Sequence, residues 1–475
     1  MKTIFSKHTS ILAILLILGL GSCKKFIDVP PTGKKIPTTF ADYEAFIRDE
    51  YGNHTTNVNR TTLLLNDRFE TTANLNYSLL DGVNYNWNET ADRILLNNVD
   101  EGTYYSSYQA ISNSNLLIEN VNNATESTAA KKAELIAQAK VLRAVAYYTL
   151  SNYYADTYEE ANAANKGAVP LITSANVNAP HKQVTVKEIY DFMLKDIEEA
   201  IPALNASSAT VLHPNLGAAY ALRARIYLTM GKYNEALTAA NESLKYNDKL
   251  FDWTAFYEQN KSNIEAVNPS NQPVYSLSPS PMGFDFVETY YFRHGLRSFA
   301  AREFAIRTDR APRFETGDAM FASRWRLRTV GTDTYYYSIL TGFYNHGGLT
   351  TTEIYLIKAE CQARLNNISA ALTTLDAVRV KHIFPQYYVA SSATSVIQAV
   401  KLIQRTKANS LIFGVVPFAD MRRLNKDSNY ATTLTKTENG QTLNLSPTSH
   451  LWTMPFPLGA IKYHGNGTIT QNVNK

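Results

Sequence analysis

The segment MGKYNEALTAANESLK, residues 230–245, carries the strongest fold signal in the chain, and LNNISAALTTLDAVR, residues 365–379, repeats its spacing. Small and large residues recur at the same offsets in both segments, and Gly231 and Asn366 occupy equivalent turn positions. Such spacing is typical of tetratricopeptide repeats, in which small residues let two antiparallel helices approach closely. The sequence therefore predicts two helical pairs. Two unrelated helical hairpins are the alternative.

Helical periodicity continues through much of the remaining chain. Apolar residues follow a 3–4 spacing over residues 130–154, which predicts a long helix there. The same reasoning predicts helices at 41–50, 102–122, 185–201, 215–229, 233–246, 352–365, 368–382 and 394–408.

Two regions have a different composition. Residues 51–100 and 250–350 are rich in Asn, Thr, Tyr and Gly and lack a sustained helical period. We interpret them as loop-rich insertions with short strands, where function is often found. The predicted fold class is mainly α. It is a tetratricopeptide-like helical-pair scaffold with a large loop-rich insertion carrying short strands, and its units lie near 133–154, 217–246 and 352–382.

The first residues have the features of an export signal. Lys2 and Lys7 precede an apolar run from Ile11 to Leu20, which is too short to span a bilayer as a mature helix. Gly-Ser before Cys23 resembles a lipobox, so we expect a signal peptide at 1–22, a lipidated Cys23 and a tether over 23–40. A plain signal peptide with an incidental cysteine is the alternative.

Composition excludes several classes of protein. The 46 basic and 42 acidic residues leave a net charge of +4, too small and too evenly spread for a nucleic-acid binder. Two cysteines exclude a disulfide scaffold or a cysteine-only metal cluster. No metal-binding, nucleophile-elbow or phosphate-loop motif occurs, so we predict no catalytic residues, no metal and no cofactor.

Further motifs point to one family. KKFIDVPP (24–31) follows the lipobox, LRAVAYYTLSNYYADTY (142–158) precedes the repeats, and SLIFGVVPFADMRRL (410–424) and LWTMPFPLGAI (451–461) close the chain. Taken together, these features resemble the SusD/RagB nutrient-binding outer-membrane lipoproteins. Phe413 stands where that family usually has Glu, and no Trp lies near Leu424. The chain therefore resembles a divergent branch, from which no particular ligand can be carried over.

The resemblance implies a location, a partner and a domain organisation. It implies a surface-exposed, lipid-anchored protein of a Gram-negative outer membrane, with a single SusD-like helical domain over 41–475. It also implies a SusC/RagA-like TonB-dependent transporter as partner, to which glycans or sometimes peptides are delivered.

Candidate ligand contacts follow from sugar chemistry. Aromatic rings cover the apolar face of a sugar, while amide, carboxylate and guanidinium groups satisfy its hydroxyls, because a buried polar group without a partner costs about 1–3 kcal/mol. The segment 74–93 combines these residue types, and a Tyr-x-Trp in extended backbone places both rings on one face. The candidates in this segment are Tyr77, Asp81, Tyr85, Trp87 and Asn88.

Two further clusters are candidates. The first contains Tyr290, Tyr291 and Arg293, and the second contains Trp325 and Tyr336. A strand through the tyrosines at 335–337 must point at least one ring the opposite way. Packing of these rings into the core remains the alternative in every case. Arg422 and Arg423 are interpreted as structural residues that tie helices together.

The resulting hypothesis is a lipoprotein that captures an oligosaccharide and delivers it without breaking bonds. A peptide-binding member of the same family is the nearest alternative. A surface glycosidase and a purely structural adaptor are the other hypotheses.

Overall fold

The computed structural model describes residues 37–96, 102–176, 178–179, 181–274, 280–295, 305–438, 440–462 and 469–473. The predicted signal peptide and Cys23, with the tether up to residue 36, lie outside the described residues. Within these ranges the fold is mainly α-helical, as predicted, and it contains only small sheets. No helix of the described part is long and apolar enough to cross a membrane.

The elements are numbered in chain order. The helices are α1 (Phe40–Ile47), α2 (Glu50–Asn53), α3 (Asn59–Leu64), α4 (Thr72–Tyr77), α5 (Leu79–Asn86), α6 (Arg93–Leu96), α7 (Gly102–Asn120), α8 (Ala129–Tyr154), α9 (Val186–Ala200), α10 (Leu216–Thr229), α11 (Tyr233–Leu244), α12 (Trp253–Ile264), α13 (Ala319–Arg324), α14 (Thr351–Arg364), α15 (Ile368–His382), α16 (Val396–Ser410), α17 (Val415–Leu424) and α18 (Leu458–Lys462). The strands are β1 (Gly167–Leu171), β2 (Lys182–Thr185), β3 (Thr289–Tyr291), β4 (Ile306–Arg307), β5 (Trp325–Val330), β6 (Asp333–Ser338), β7 (Leu349–Thr350), β8 (Leu434–Glu438) and β9 (Gln441–Leu445).

The two predicted helical pairs are α10–α11 and α14–α15, and their turns have the same geometry. Gly231 and Asn366 both adopt left-handed backbone, with φ of 73° and 65°. The amide after each turn residue donates back five positions, from Lys232 to the Tyr227 carbonyl at 2.9 Å and from Asn367 to the Gln362 carbonyl at 2.8 Å. This hydrogen bond is the Schellman closure of a helix end. The prediction of two equivalent helical pairs is therefore confirmed.

Small residues bring these helices together. Ala224 and Ala236 in the first pair, and Ala359 and Ala371 in the second, are fully buried. Helix α11 packs on α14, so the two pairs are neighbours although more than a hundred residues separate them. The long helix α8 lies between α7 and α9.

The region 51–100 differs from the prediction. Its described part forms the short helices α2 to α6 and not loops with short strands. Thr71 begins one of them by accepting a hydrogen bond from the Asn74 amide at 3.4 Å. Helices of four to eight residues present too few turns for a periodic pattern, so the hydrophobic spacing could not reveal them.

The region 250–350 agrees with the prediction more closely than the region 51–100 does. It contains the antiparallel pair β3–β7 and the three-stranded sheet β4–β6–β5, as expected of an insertion with short strands. It also contains helices α12 and α13, which the loop-rich interpretation missed.

Arg422 and Arg423 tie helices together, as the sequence interpretation proposed. Arg423 forms ion pairs with Glu360 on α14 at 2.5 Å and with Asp420 at 2.8 Å. Arg422 donates to the carbonyls of Asn152 and Ala155 at the end of α8. Both arginines lie on α17, which is thereby fixed to two other helices.

Gly231→Ala is expected to lower the free energy of unfolding by about 1–2 kcal/mol, because an alanine in left-handed backbone is strained. A methyl group at this position would meet no atom within 4 Å, so the backbone alone sets the cost. Gly283→Ala is the control, because its site is equally open and its φ is not in the left-handed region. Chemical denaturation measures the free energy of unfolding of both variants. Equal stability of the two variants would contradict the assigned turn geometry.

Arg423→Met is expected to destabilise the protein by about 3 kcal/mol, because it leaves two buried carboxylates short of a partner. Arg405→Met is the matched control. Arg405 pairs with Glu315 at 2.9 Å, but its side chain is 44% exposed, and exposed pairs contribute about 0–1 kcal/mol. Urea unfolding of both variants checks the difference, and similar losses would show that burial does not govern these pairs.

Candidate ligand-binding face

The first candidate segment forms the end of a helix, and its central rings are buried. Tyr85 and Trp87 are 2% and 5% exposed. Trp87 closes α5 in left-handed backbone, and its indole Nε1 donates to the Leu64 carbonyl at 2.8 Å. The expectation of extended backbone with two solvent-facing rings is therefore wrong, because helix α5 turns both side chains onto the protein.

Other residues of this segment remain accessible. Tyr77 at the end of α4 is 93% exposed, and Asn88 is exposed beyond α5. The Asp81 carboxylate is partly exposed and lies 3.5 Å from Arg60 Nε. We call the surface formed by α4, α5 and the strands that border Tyr85 the candidate face.

Arg307 on β4 joins three parts of the chain at this face. Its guanidinium donates to the Tyr85 hydroxyl on α5 and pairs with Glu438 on β8 at 2.7 Å. It also pairs with Asp309 at 3.0 Å, and the Asn66 amide reaches the same carboxylate at 3.4 Å. The helical segment, the insertion sheet and the hairpin of β8 and β9 therefore meet at one cation.

The hairpin also inserts a lysine between the two buried rings. Lys436 Nζ lies 4.1 Å from the centroid of the Tyr85 ring and 4.5 Å from that of the Trp87 ring. Its ammonium donates to the Tyr85 carbonyl. Burial, reinforced by the nearby Arg307 cation, lowers the pKa of Lys436 to about 7. Burial likewise raises the pKa of Tyr85 to about 12.

Sequence reasoning missed Arg307, Lys436 and Glu438 as members of this face. They lie more than two hundred residues beyond the segment they contact. A lysine in a short polar strand has no local feature that predicts an aromatic environment.

The second candidate cluster is an internal network. Tyr290, Tyr291 and Arg293 are at most 2% exposed. The Tyr291 hydroxyl lies 2.9 Å from His54 Nδ1, and Arg293 donates to the Thr55 carbonyl at 3.1 Å. Tyr291 and Arg293 connect the insertion to the segment after α2, whereas Tyr290 donates to the Ser243 carbonyl on α11 at 3.3 Å. Because all three side chains are buried, we no longer count them as direct ligand contacts.

The third candidate cluster is also internal. Trp325 is 2% exposed and packs on Phe413 with ring centroids 5.8 Å apart. Tyr335 and Tyr337 share one apolar cluster, whereas Tyr336 packs in another with Trp325. The predicted alternation of rings along this strand is confirmed, and the burial of Trp325 removes it from the accessible surface. Tyr336 keeps partial exposure.

No group of three metal-binding side chains occurs in the part of the chain that the structure describes. The candidate face presents the exposed Tyr77 ring, the exposed Asn88 amide and ion-paired charges. Such a surface can stack on and hydrogen-bond to a polar ligand.

The fold defines a tetratricopeptide-like helical-pair protein, and the candidate face lies on it. A family described as "Starch-binding associating with outer membrane", of the SusD-like type, matches residues 25–228. Over these residues, which make up less than half of the chain, the sequence is similar to the SusD-like family.

Solved structures share the fold along nearly the whole chain. A putative sugar-binding protein from Bacteroides vulgatus has a TM-score of 0.68 at 18% identity, covering 93% of this chain and 100% of its own. A SusD superfamily protein from Bacteroides thetaiotaomicron has a TM-score of 0.66 at 15% identity, covering 92% and 100%. A laminarin-binding SusD-like protein has a TM-score of 0.63 at 16% identity, with the same coverage. No curated protein sequence matches the chain.

His54→Gln is expected to weaken the pH dependence of stability. Burial lowers the pKa of His54 to about 3, so its stabilising effect is complete above the ordinary pKa near 6.5 and is lost as the pH falls from there towards 3. Between pH 7 and pH 5 the native protein should lose about 2 kcal/mol through this group.

Glutamine can donate to the Ile47 carbonyl and accept from Tyr291, the two partners of His54, without titrating. Denaturant unfolding at pH 7 and pH 5 gives the comparison. The difference between native protein and variant should shrink at pH 5, and a constant difference would exclude a neutral buried His54.

Proposed function

We propose that the protein binds oligosaccharides at the cell surface and passes them to a TonB-dependent transporter of the SusC/RagA type. The observation that carries this proposal is the match to a family described as starch-binding and associated with the outer membrane. Solved proteins of the same fold described as sugar-binding or laminarin-binding support a carbohydrate ligand.

The candidate face supplies suitable contacts for such a ligand. Tyr77 offers a ring that is 93% exposed, and the Asp81–Arg60 pair lies on the neighbouring helices. A sugar can stack its apolar face on the ring while its hydroxyls bond to the charged pair. Asn88 adds an exposed amide beyond α5.

The proposed role is binding and delivery without bond cleavage. Hydrolysis of a glycosidic bond needs two carboxyl groups with separate proton-transfer roles. The carboxylates of Asp81, Asp309 and Glu438 around this face are each ion-paired with an arginine. Carboxylates held in such ion pairs are better suited to hydrogen-bonding a ligand than to exchanging protons with it.

The anchor and the domain organisation complete the proposal. Removal of residues 1–22 and lipidation of Cys23 would tether a single domain over 41–475 to the outer membrane. Residues 23–40 would then separate the lipid from helix α1.

Tyr77→Ala is expected to weaken oligosaccharide binding about tenfold, because loss of one stacking contact of about 1.4 kcal/mol changes an affinity by that factor. Tyr387→Ala is the matched control, since Tyr387 is 53% exposed but lies in the loop after α15. Calorimetry with residues 24–475 against laminarin oligosaccharides, maltooligosaccharides and a tryptic peptide mixture measures both variants.

Binding to a glycan that Tyr77→Ala weakens and Tyr387→Ala preserves would support the proposal. Binding to the peptides alone would favour the peptide-binding alternative. Absence of binding to all three would overturn a nutrient-binding role. Trp87→Ala is unsuitable as a test of the site, because its ring is buried.

A further inference from the structure

The β8–β9 hairpin is held to the protein mainly by side chains of one strand face. Within the described residues its two strands pair only with each other. Thr435 and Thr437 are exposed, whereas Leu434, Lys436 and Glu438 alternate with them and face the protein. An isolated two-stranded hairpin is at best marginally stable in water. The position of this hairpin therefore depends on its inward contacts.

Lys436 is the unusual member of that inward face. It is 3% exposed, and its Nζ contacts the Tyr85 carbonyl and two aromatic rings. No described carboxylate lies within ion-pair distance of it. Cation–π contacts compensate a buried ammonium only in part. When the hairpin packs against the protein, the Lys436 ammonium therefore leaves water without gaining a counter-ion.

Among the residues that the structure describes, four other titratable or charged groups face Lys436. Tyr85 and Arg307 lie on α5 and β4, Asp309 follows β4, and Glu438 lies two residues along β8. Arg307 opposes the lysine charge, and the two carboxylates favour it. Both carboxylates already form ion pairs with Arg307, so they offset the buried positive charge of Lys436 only in part.

From this geometry we infer that Lys436 makes the β8–β9 hairpin a proton-sensitive latch on the candidate face. The contacts of the hairpin alone support the latch. The inference that the latch regulates ligand capture rests on the proposed function.

The direction of the effect follows from linkage. In the seated hairpin the pKa of Lys436 is about 7, whereas a released lysine has the ordinary value near 10.5. Packing of the hairpin against the protein is therefore most favourable above pH 10.5. It weakens as the pH falls from 10.5 to about 7. Between pH 9 and pH 6 the opening equilibrium should increase about a hundredfold.

Opening changes the chemistry of the candidate face. Withdrawal of Lys436 uncovers one face each of Tyr85 and Trp87, and withdrawal of Glu438 leaves Arg307 paired with Asp309 alone. The rings and the cation then become available to a polar ligand with an apolar face. A ligand that contacts these rings has to displace the hairpin, so capture is coupled to the charge of Lys436.

Hydrogen exchange of residues 434–445 in the ligand-free protein tests the latch at pH 6 and pH 9, after correction for intrinsic exchange rates. The native hairpin should open about a hundredfold more at pH 6. Lys436→Met, which cannot be charged, should remove this dependence. Lys436→Arg, which is charged at both pH values, should open the hairpin at both.

The β5–β6 hairpin is the internal control, because it contains no lysine and should show no such change. The same pH dependence in Lys436→Met and native protein would overturn the inference, as would equal changes in both hairpins. The exchange experiment uses the ligand-free protein, so a protein that binds no glycan can still show the expected pH dependence. Failure of the latch and failure of the proposed function are thus separate results.

Discussion

Two charges removed from water, Arg225 and Glu353, determine how the helical pairs fit together. Arg225 lies on the first helix of one pair and Glu353 on the first helix of the other, and their side chains meet at 2.5 and 2.6 Å with at most 3% exposure. Arg225 also donates to the Gly348 carbonyl at the end of the insertion. Because neither charge is stable there alone, the pairs and the insertion have to close around each other. The insertion is therefore part of the scaffold.

The same constraint explains where the rest of the insertion lies. Arg310 is 1% exposed and reaches Asp67 at 2.5 Å, and Arg307 reaches Tyr85 and Glu438. Each contact joins the insertion to a segment remote in sequence. Guanidinium groups suit this task because their fixed forks satisfy several acceptors at once. The candidate face is a product of these ties, since Arg307 brings α5, β4 and β8 together.

Sequence patterns predicted the helical scaffold and failed where order comes from remote contacts. The turn positions Gly231 and Asn366 were correct, since the left-handed backbone they adopt is a local requirement. The short helices α2 to α6 were missed because packing on remote segments, and not their own periodicity, stabilises them. Residue types in the first candidate segment indicated aromatic and polar chemistry. They could not show that Tyr85 and Trp87 turn inward while Tyr77 stays exposed.

The tyrosine content explains why ring chemistry alone misleads in this protein. Many of the 30 tyrosines pack in the core and use their hydroxyls to satisfy backbone carbonyls of strands and loops. Tyr108 donates to Pro170 at 2.8 Å, Tyr147 to Ile172 at 2.9 Å and Tyr153 to Asn57 at 3.0 Å. A fold with long polar connections needs such donors, because buried carbonyls without partners are costly. Most tyrosines thus stabilise the scaffold, and it is the exposure of Tyr77, not the abundance of tyrosine, that makes this ring our proposed ligand contact.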